Sequence, residues 1–321
     1  MWRYIVKRLL WLVVTLICVA LLIFTVMWFV PGDPAQIILG TEATAEDIAR
    51  LRENMGLNDP FVVQLGTFMR DIFLRFDFGT SYVYKVPVIS EFAVRLPRTL
   101  ALGMISLLLG LLFGIPMGIT AATHRNSFRD RGLLIFAMVF NSMPQFFFAL
   151  VMVVIFSLYL GLLPPFGIDS WKCWIMPILA TAVSGIAQTA RQTRASVLET
   201  IRADFVTTAR AKGLEERKVL YKHMLPNALI PVVSDVGMHL SMVVGGSVVI
   251  ESVFGFPGIG TYMLNGINGR DYPVVRGCVL ILATFSAVVM LLIDLVYAYL
   301  DPRIKAQYVN YAAKKGGKAK K

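Results

Sequence analysis

The chain has 321 residues, 57% of them hydrophobic and only 16% charged, with a formal net charge of +11 and a mean hydropathy of +0.68. A soluble domain carries about 25% charged residues, and so apolar a chain would have to expose greasy patches that soluble monomers rarely tolerate. These figures count against a soluble enzyme, a collagen-like repeat and a disordered chain, and the bilayer is the expected solvent.

Crossing a hydrocarbon core of about 30 Å takes roughly 20 apolar residues. Residues 9–30 and 99–123 contain no charge. Residues 132–168 are also uncharged but too long for one span; Gly161, Pro164, Pro165 and Gly167 interrupt the end, which predicts a helix over 132–160. Residues 173–190 form a fourth uncharged stretch, while 226–250 and 277–300 each hold a single acid, Asp235 and Asp294. Six spans follow, giving an all-α membrane protein. Arg3, Lys7 and Arg8 precede the first span as in a secretory signal, but its apolar stretch is too long and no small-residue cleavage site follows, so an uncleaved helix is expected.

Basic loop residues mark the cytoplasmic side. With the N-terminus inside, the inner segments (1–8, 124–131, 191–223 and 301–321) hold 21 basic residues against 6 acidic ones. The outer segments (31–98, 161–172 and 251–276) hold 10 against 12. The isoelectric point near 9.7 therefore reflects an N-in, C-in topology and not nucleic-acid binding. The basic tail, Lys314 to Lys321, fits an anionic-lipid contact or a solvated end. Cys18, Cys173 and Cys278 are too scattered for a disulfide framework or zinc site, as are the three histidines, and no metal site is expected.

In the long outer segment, Pro31-Gly32-Asp33-Pro34 signals a turn. Residues 44–55 read as a polar helix with Thr44 as N-cap and Gly56 as its stop, and 64–73 as an amphipathic one. Phe76, Phe78, Tyr82 and Tyr84 fit either an interfacial aromatic belt or a partner contact. In the inner loop, Asp204 is placed to cap a helix from Phe205, Gly213 to end it in a left-handed conformation, and a second helix is expected over 215–223, with Pro226 in the first turn of the next span. Phe205, Val206, Ala209 and Leu214 give the loop an apolar face beside Lys212, Arg217, Lys218 and Lys222. That face suits either lipid headgroups or a partner protein. The third loop, Val253 to Gly260, has four Gly or Pro residues and cannot continue a helix. It is either a simple interfacial turn or a re-entrant segment buried among helices.

Polar residues within spans are candidate pathway groups. Asn141, Ser142, Pro144 and Gln145 lie in the third span, Asp235 and His239 share a face of the fifth at i,i+4. That pair fits either a pathway lining or a structural bond to another helix. Asp294 is expected to be structural or interfacial, and Arg191 and Arg194 to snorkel toward headgroups.

The segment Asp204-Phe205-Val206-Thr207-Thr208-Ala209-Arg210-Ala211-Lys212-Gly213-Leu214 resembles the EAA loop of ATP-binding-cassette importer permeases, in the dipeptide/oligopeptide/nickel branch. The likeness continues through His223-Met224-Leu225-Pro226-Asn227-Ala228-Leu229-Ile230-Pro231, Gly245-Gly246 and Glu251-Ser252-Val253-Phe254-Gly255-Phe256-Pro257-Gly258-Ile259-Gly260. It extends to Asp271-Tyr272-Pro273, Asp294-Leu295-Val296-Tyr297 and Asp301-Pro302-Arg303, and upstream to Pro31–Pro34, Met55-Gly56-Leu57 and Arg95-Leu96-Pro97. Thr207, Thr208 and Ala209 stand where the wider pattern has Glu-Ala-Ala, a departure the branch shares.

The resemblance implies a type I importer permease fold in a bacterial inner membrane, divided into 1–95 (first span and outer segment), 96–301 (core of five spans with a coupling loop at 199–225) and 302–321 (tail). It implies a second homologous permease subunit, two cytoplasmic ATPase subunits and an extracytoplasmic substrate-binding protein as partners. The coupling loop would be Asp204, Phe205, Thr208–Leu214, His223 and Pro226; Glu251, Phe254, Gly255, Pro257, Gly258 and Gly260 form the outer loop motif. The cargo would be a dipeptide or oligopeptide, with nickel and glutathione as alternatives. The chain has no G-x-x-x-x-G-K-[ST] loop: Gly316-Gly317-Lys318-Ala319 lacks the spacing and the hydroxyl. A non-catalytic subunit without its own cofactor is expected, with ATP and magnesium on the ATPase. An ion-coupled transporter would show inverted repeats, and an intramembrane enzyme an HExxH or GxSxG motif; neither is evident.

Overall fold

The computed structural model describes residues 2–40 and 42–300, without the side chains of residues 2–4, 241–244, 246, 294 and 296–300. The expectations for the Asp294 side chain, for residues 301–303 and for the basic tail fall outside the described residues. Among the described residues every named element is helical, and Thr80 and Pro87 form an isolated antiparallel bridge. The chain divides into two compact units, one of them Pro31–Cys278 and the other the described residues up to Val30 and from Val279 onward.

In the terminal unit, α1 (Trp2–Phe29) buries Ala20, Ile23, Phe24 and Met27, a helically spaced stripe, and exposes Leu10, Leu22 and Phe29. Thr15 and Thr25 donate to the Trp11 and Leu21 carbonyls four residues back, which satisfies both hydroxyls within the apolar helix.

The central unit is built on α5 (Val88–Thr123) against α8 (Lys172–Thr200). Lipid tails give no hydrophobic drive for helix pairing, so close packing of small residues must supply it. Gly110, Gly114 and Gly118, four residues apart, let the backbones meet. A Cβ on Gly114 would lie 2.7 Å from Thr189 Cβ, and one on Gly118 would lie 2.5 Å from the Ala190 carbonyl oxygen. Ser106 Oγ donates across the pair to the Ile178 carbonyl at 3.2 Å.

Among the described residues, four helices have the length and composition to cross a membrane: Ile5–Phe29, Val88–Thr123, Lys172–Thr200 and Tyr272–Ile293, the last in α15 (Tyr272–Leu300). The expected helix over 132–160 is instead a bent pair. α6 (Phe128–Ser142) and α7 (Gln145–Met152), continued by a π-helical stretch Val153–Tyr159, meet at 99°. Pro144 disfavours the helical conformation at Met143, which adopts an extended one, ψ 125°. The fifth expected span, 226–250, is also not one helix. Pro226 and Pro231 each open a new segment, giving α11 (Leu225–Ala228), α12 (Ile230–Gly246) and α13 (Val248–Val253).

Outside the spans, Asp33 caps α2 (Pro34–Leu39), and Thr44 caps α3 (Ala45–Asn54) by accepting from the Asp47 amide. The chain stops α3 with Gly56 at φ +66°, and α4 (Phe61–Arg75) extends beyond the expected 64–73. Between α8 and α11 lie α9 (Asp204–Ala211), α10 (Glu216–Lys218) and a π-helical turn Val219–Met224. The expected single helix over 215–223 is thus two short pieces. α14 (Ile259–Asn268) precedes α15.

Candidate functional site

The inner loop is anchored by its own apolar face. Val206, Ala209, Val219, Met224, Leu225 and Ala228 are buried with Val197 of α8 and Ala122 of α5. Ser196 Oγ donates to the Ala228 carbonyl at 2.6 Å. The face is therefore filled by protein, which removes the reading in which it lies on headgroups. Phe205, grouped with that face from its sequence, is instead 44% exposed, since it points away from Val206 and Ala209. Asp204 is the first helical residue and Ala203 the N-cap, with no side-chain capping bond, so the capping role assigned to Asp204 is not made.

What the anchored face leaves outward is mostly polar, with Phe205 and Tyr221 exposed among it. Asp204, Thr208, Arg210, Ala211, Lys212 and Gly213 are exposed, Leu214 and His223 half-buried, and Pro226 exposed. Gly213 has φ +74°, and its amide donates to the Arg210 carbonyl at 2.9 Å. The Arg210 guanidinium closes the turn by a two-pronged bond to Glu216, at 2.6 and 3.1 Å. That bond holds the Glu216 carboxyl below its usual range and raises Arg210. A groove of ≈ 460 Å³ beyond it is lined by Glu215, Arg217, Lys218, Tyr221 and Lys222.

Nearby, Asp130 at the start of α6 is 1% exposed and grips Arg194 of α8 through both carboxylate oxygens. The Asn126 amide donates to it at 2.9 Å. Arg194 does not snorkel: a carboxylate from another helix neutralises it first. Arg191 is exposed and bonds Gln188.

The Val253–Gly260 loop is the buried form. Phe254 and Phe256 are 2% and 0% exposed; Phe254 packs with Ala149, Met152, Met176 and Ala180, and Phe256 meets Trp174 edge-on at 4.8 Å. Glu251 organises it. Its fully buried carboxyl accepts from Thr99 Oγ1 at 2.7 Å, Ser247 Oγ at 2.9 Å and the Thr261 amide at 3.1 Å. Thr99 in turn accepts from the Ile259 amide at 3.0 Å. Gly258 is required because a Cβ there would sit 2.4 Å from the Glu251 carboxyl; at Gly260 it would sit 2.5 Å from Val248 Cα. Gly255 turns at φ +56°, and Arg98 donates to the Pro257 carbonyl at 3.4 Å.

A third buried acid, Asp271, caps α15 and receives Ser81 Oγ at 2.5 Å and the Val83 amide at 3.2 Å. Tyr82 meets Tyr272 edge-on, and Tyr84 tilts on Tyr262. Tyr82 is half-buried, and burial pushes its hydroxyl up to about 12, whereas Tyr84 stays 41% exposed. Phe76 stays 76% exposed.

The pathway candidates are not gathered into one cluster. Asn141 and Ser142 are exposed and Gln145 half-buried at the α6–α7 bend. α7 packs on α8 and α13, whereas α12 packs on α5 and α8. On α12, His239 Nε2 lies 3.4 Å from Asp235 Oδ2, close enough for an ion pair but without hydrogen-bond alignment.

Sequence reasoning did not find the partners of the three buried acids. Arg194, Thr99 and Ser81 lie far along the chain from Asp130, Glu251 and Asp271, so no local spacing marks them. The four-residue spacing of Gly110, Gly114 and Gly118 was visible and would have marked the α5 packing face.

Among the described residues the fold is all-helical, with helices of membrane-crossing length, a protein-buried loop and a tethered turn, the architecture of a multi-pass membrane protein. Residues 114–306 match the family described as binding-protein-dependent transport system inner membrane component, and residues 1–103 match its N-terminal region. The chain belongs to this family: it is a multi-pass inner-membrane permease subunit of an ATP-binding-cassette importer, not an enzyme. It is 40% identical over 305 residues to the glutathione transport system permease protein GsiC of Salmonella typhimurium, covering 95% of this chain and 99% of that one. It is 38% identical over 333 residues to the dipeptide transport system permease protein DppB of Alkalihalophilus pseudofirmus, covering 95% and 100%. An inward-facing structure of the MetNI methionine ABC transporter shares the fold, with a TM-score of 0.57 at 20% identity over 66% of this chain and 96% of that one.

Proposed function

We propose that this subunit moves small peptides, glutathione or dipeptides among them, into the cell from an external binding protein. The relatives named for glutathione and dipeptide transport match nearly end to end, which favours peptide cargo over nickel. It works beside a second homologous permease and two cytoplasmic ATPase subunits, which carry ATP and magnesium, with both of its own termini inside.

In this reading the loop from Asp204 to Pro226 receives the ATPase stroke. The observation that carries it is the division of the loop into two faces. Val206 and Ala209 bind it to α5 and α8, while Thr208, Arg210, Lys212 and Gly213 remain exposed. A push on the outer face is thus transmitted to the two helices at the centre of the unit. Nucleotide can shift a conformational equilibrium only through contacts that differ between the states, and this tethered loop offers such contacts. Asp235 and His239 remain pathway candidates on α12.

Reconstitution tests the reading. Liposomes holding the complete importer with its binding protein should accumulate labelled dipeptide or glutathione when ATP is supplied. Uphill uptake by this chain alone would overturn it.

A further inference from the structure

The α6–α7 break poses a solvation problem. Ser142 is eleven residues past Arg131, the last charge before the uncharged stretch, or about 16 Å of helix rise, roughly the middle of a hydrocarbon core. There the backbone leaves the helix: Met143 and Pro144 have ψ 125° and 134°. Pro144 has no N–H to offer the Phe140 carbonyl. The Asn141 and Ser142 carbonyls fall in the last turn of α6, and α7 opens with no side-chain cap for its first amides. The Met143 amide donates back to the Val139 carbonyl of α6, and the Phe147 and Phe148 amides donate to the Pro144 carbonyl at the start of α7, so each of these bonds stays on its own side of the break.

Hydrocarbon cannot satisfy such groups; irregular backbone at this depth persists only inside protein or beside water. This chain does not bury it, because Asn141, Ser142 and Pro144 are exposed. Their neighbours along the chain are neutral, since no residue from 132 to 168 is charged. We propose that residues 141–145 line the aqueous translocation path, and that Asn141, Ser142 and the open carbonyls beside them form an uncharged station for the main chain of a peptide in transit.

The chemistry fits that ligand. A peptide's amides repeat whatever its side chains are, so neutral donors and acceptors hold the main chain without selecting a sequence. A fixed charge would instead favour one class of side chain and retain it. The peptide part rests on the cargo reading above; the aqueous part rests on the geometry of the break.

The test uses the complete importer in proteoliposomes, with the exposed Cys18 replaced by serine. Ser142→Cys is treated with a membrane-impermeant cationic methanethiosulfonate, with Asn141→Cys as the alternative should the first variant not assemble. Leu108→Cys, on the exposed apolar face of α5, serves as the lipid-facing control. The break cysteine should react many times faster than the control, an excess of dipeptide should slow that reaction, and modification should abolish dipeptide uptake. No reaction in an importer that still transports, as when lipid or the second permease seals the break, would overturn the aqueous lining. Reaction at a rate that dipeptide does not change would overturn the peptide station. Absence of ATP-driven dipeptide uptake before any labelling would instead count against the cargo reading.

Discussion

Thr99 and Glu251, 152 positions apart, meet through a 2.7 Å hydrogen bond in a site neither exposes to solvent. Through it α5 holds the outer loop: Thr99 donates a hydrogen bond to Glu251 and accepts one from the Ile259 amide. The loop is thereby fixed to the helix that forms half of the central α5–α8 pair.

Removing the Glu251 carboxyl should loosen this region. Glu251→Ala leaves the Thr99 and Ser247 hydroxyls and the Thr261 amide without their acceptor, and each stranded buried donor costs about 1–3 kcal/mol. Glu251→Gln keeps one acceptor oxygen and should lose less. Thermal unfolding in detergent should rank wild type above Gln above Ala, and equal midpoints for wild type and Ala would contradict the role.

Two glycine-to-alanine changes should have opposite signs. In Gly118→Ala the new methyl meets the Ala190 carbonyl at 2.5 Å and Thr193 Cβ at 2.6 Å. Backbone cannot step aside, so α5 and α8 must separate, at a cost of about 1–3 kcal/mol or more. In Gly66→Ala, on the exposed side of α4, the methyl meets nothing within 4 Å. There alanine's better helix propensity should gain up to about 1 kcal/mol. Unfolding midpoints and the yield of folded protein check both.

Asp130 and Arg194 should be coupled. Either single substitution, Asp130→Asn or Arg194→Met, leaves the partner without its counter-charge, and the double variant should recover part of the loss. A coupling energy of roughly 0.5–3 kcal/mol is expected for residues in one ion pair. Arg194→Lys should not substitute fully, because a lysine cannot make the two-pronged contact. Additive single losses would show that the pair contributes nothing jointly.

Gly213 separates geometry from charge. Alanine at φ +74° should cost about 1–2 kcal/mol locally, although its methyl has open space. Asparagine and aspartate both tolerate this conformation and have similar shapes. Gly213→Asn should therefore keep most transport, whereas Gly213→Asp, which places an acid among Arg210 and Lys212, should lose substrate-stimulated ATP hydrolysis and uptake with membrane insertion intact. Normal coupling in the aspartate variant would contradict a docking role for the turn.

The amino-acid sequence by itself determined the solvent, the helical class and four of the single-helix spans, because a run of apolar residues reports burial in lipid without any knowledge of its neighbours. Thr44 and Gly56 were equally legible, since a cap or a helix stop acts within one turn. The 99° bend was only half visible. Pro144 marks the point where a helix cannot continue, but the packing of α7 on α8 and α13 sets its new direction. The pairings of Asp130 with Arg194, Thr99 with Glu251 and Ser81 with Asp271 were decided by tertiary structure alone. A buried polar side chain must find its partner wherever the fold supplies one, and separation along the chain carries no record of that meeting.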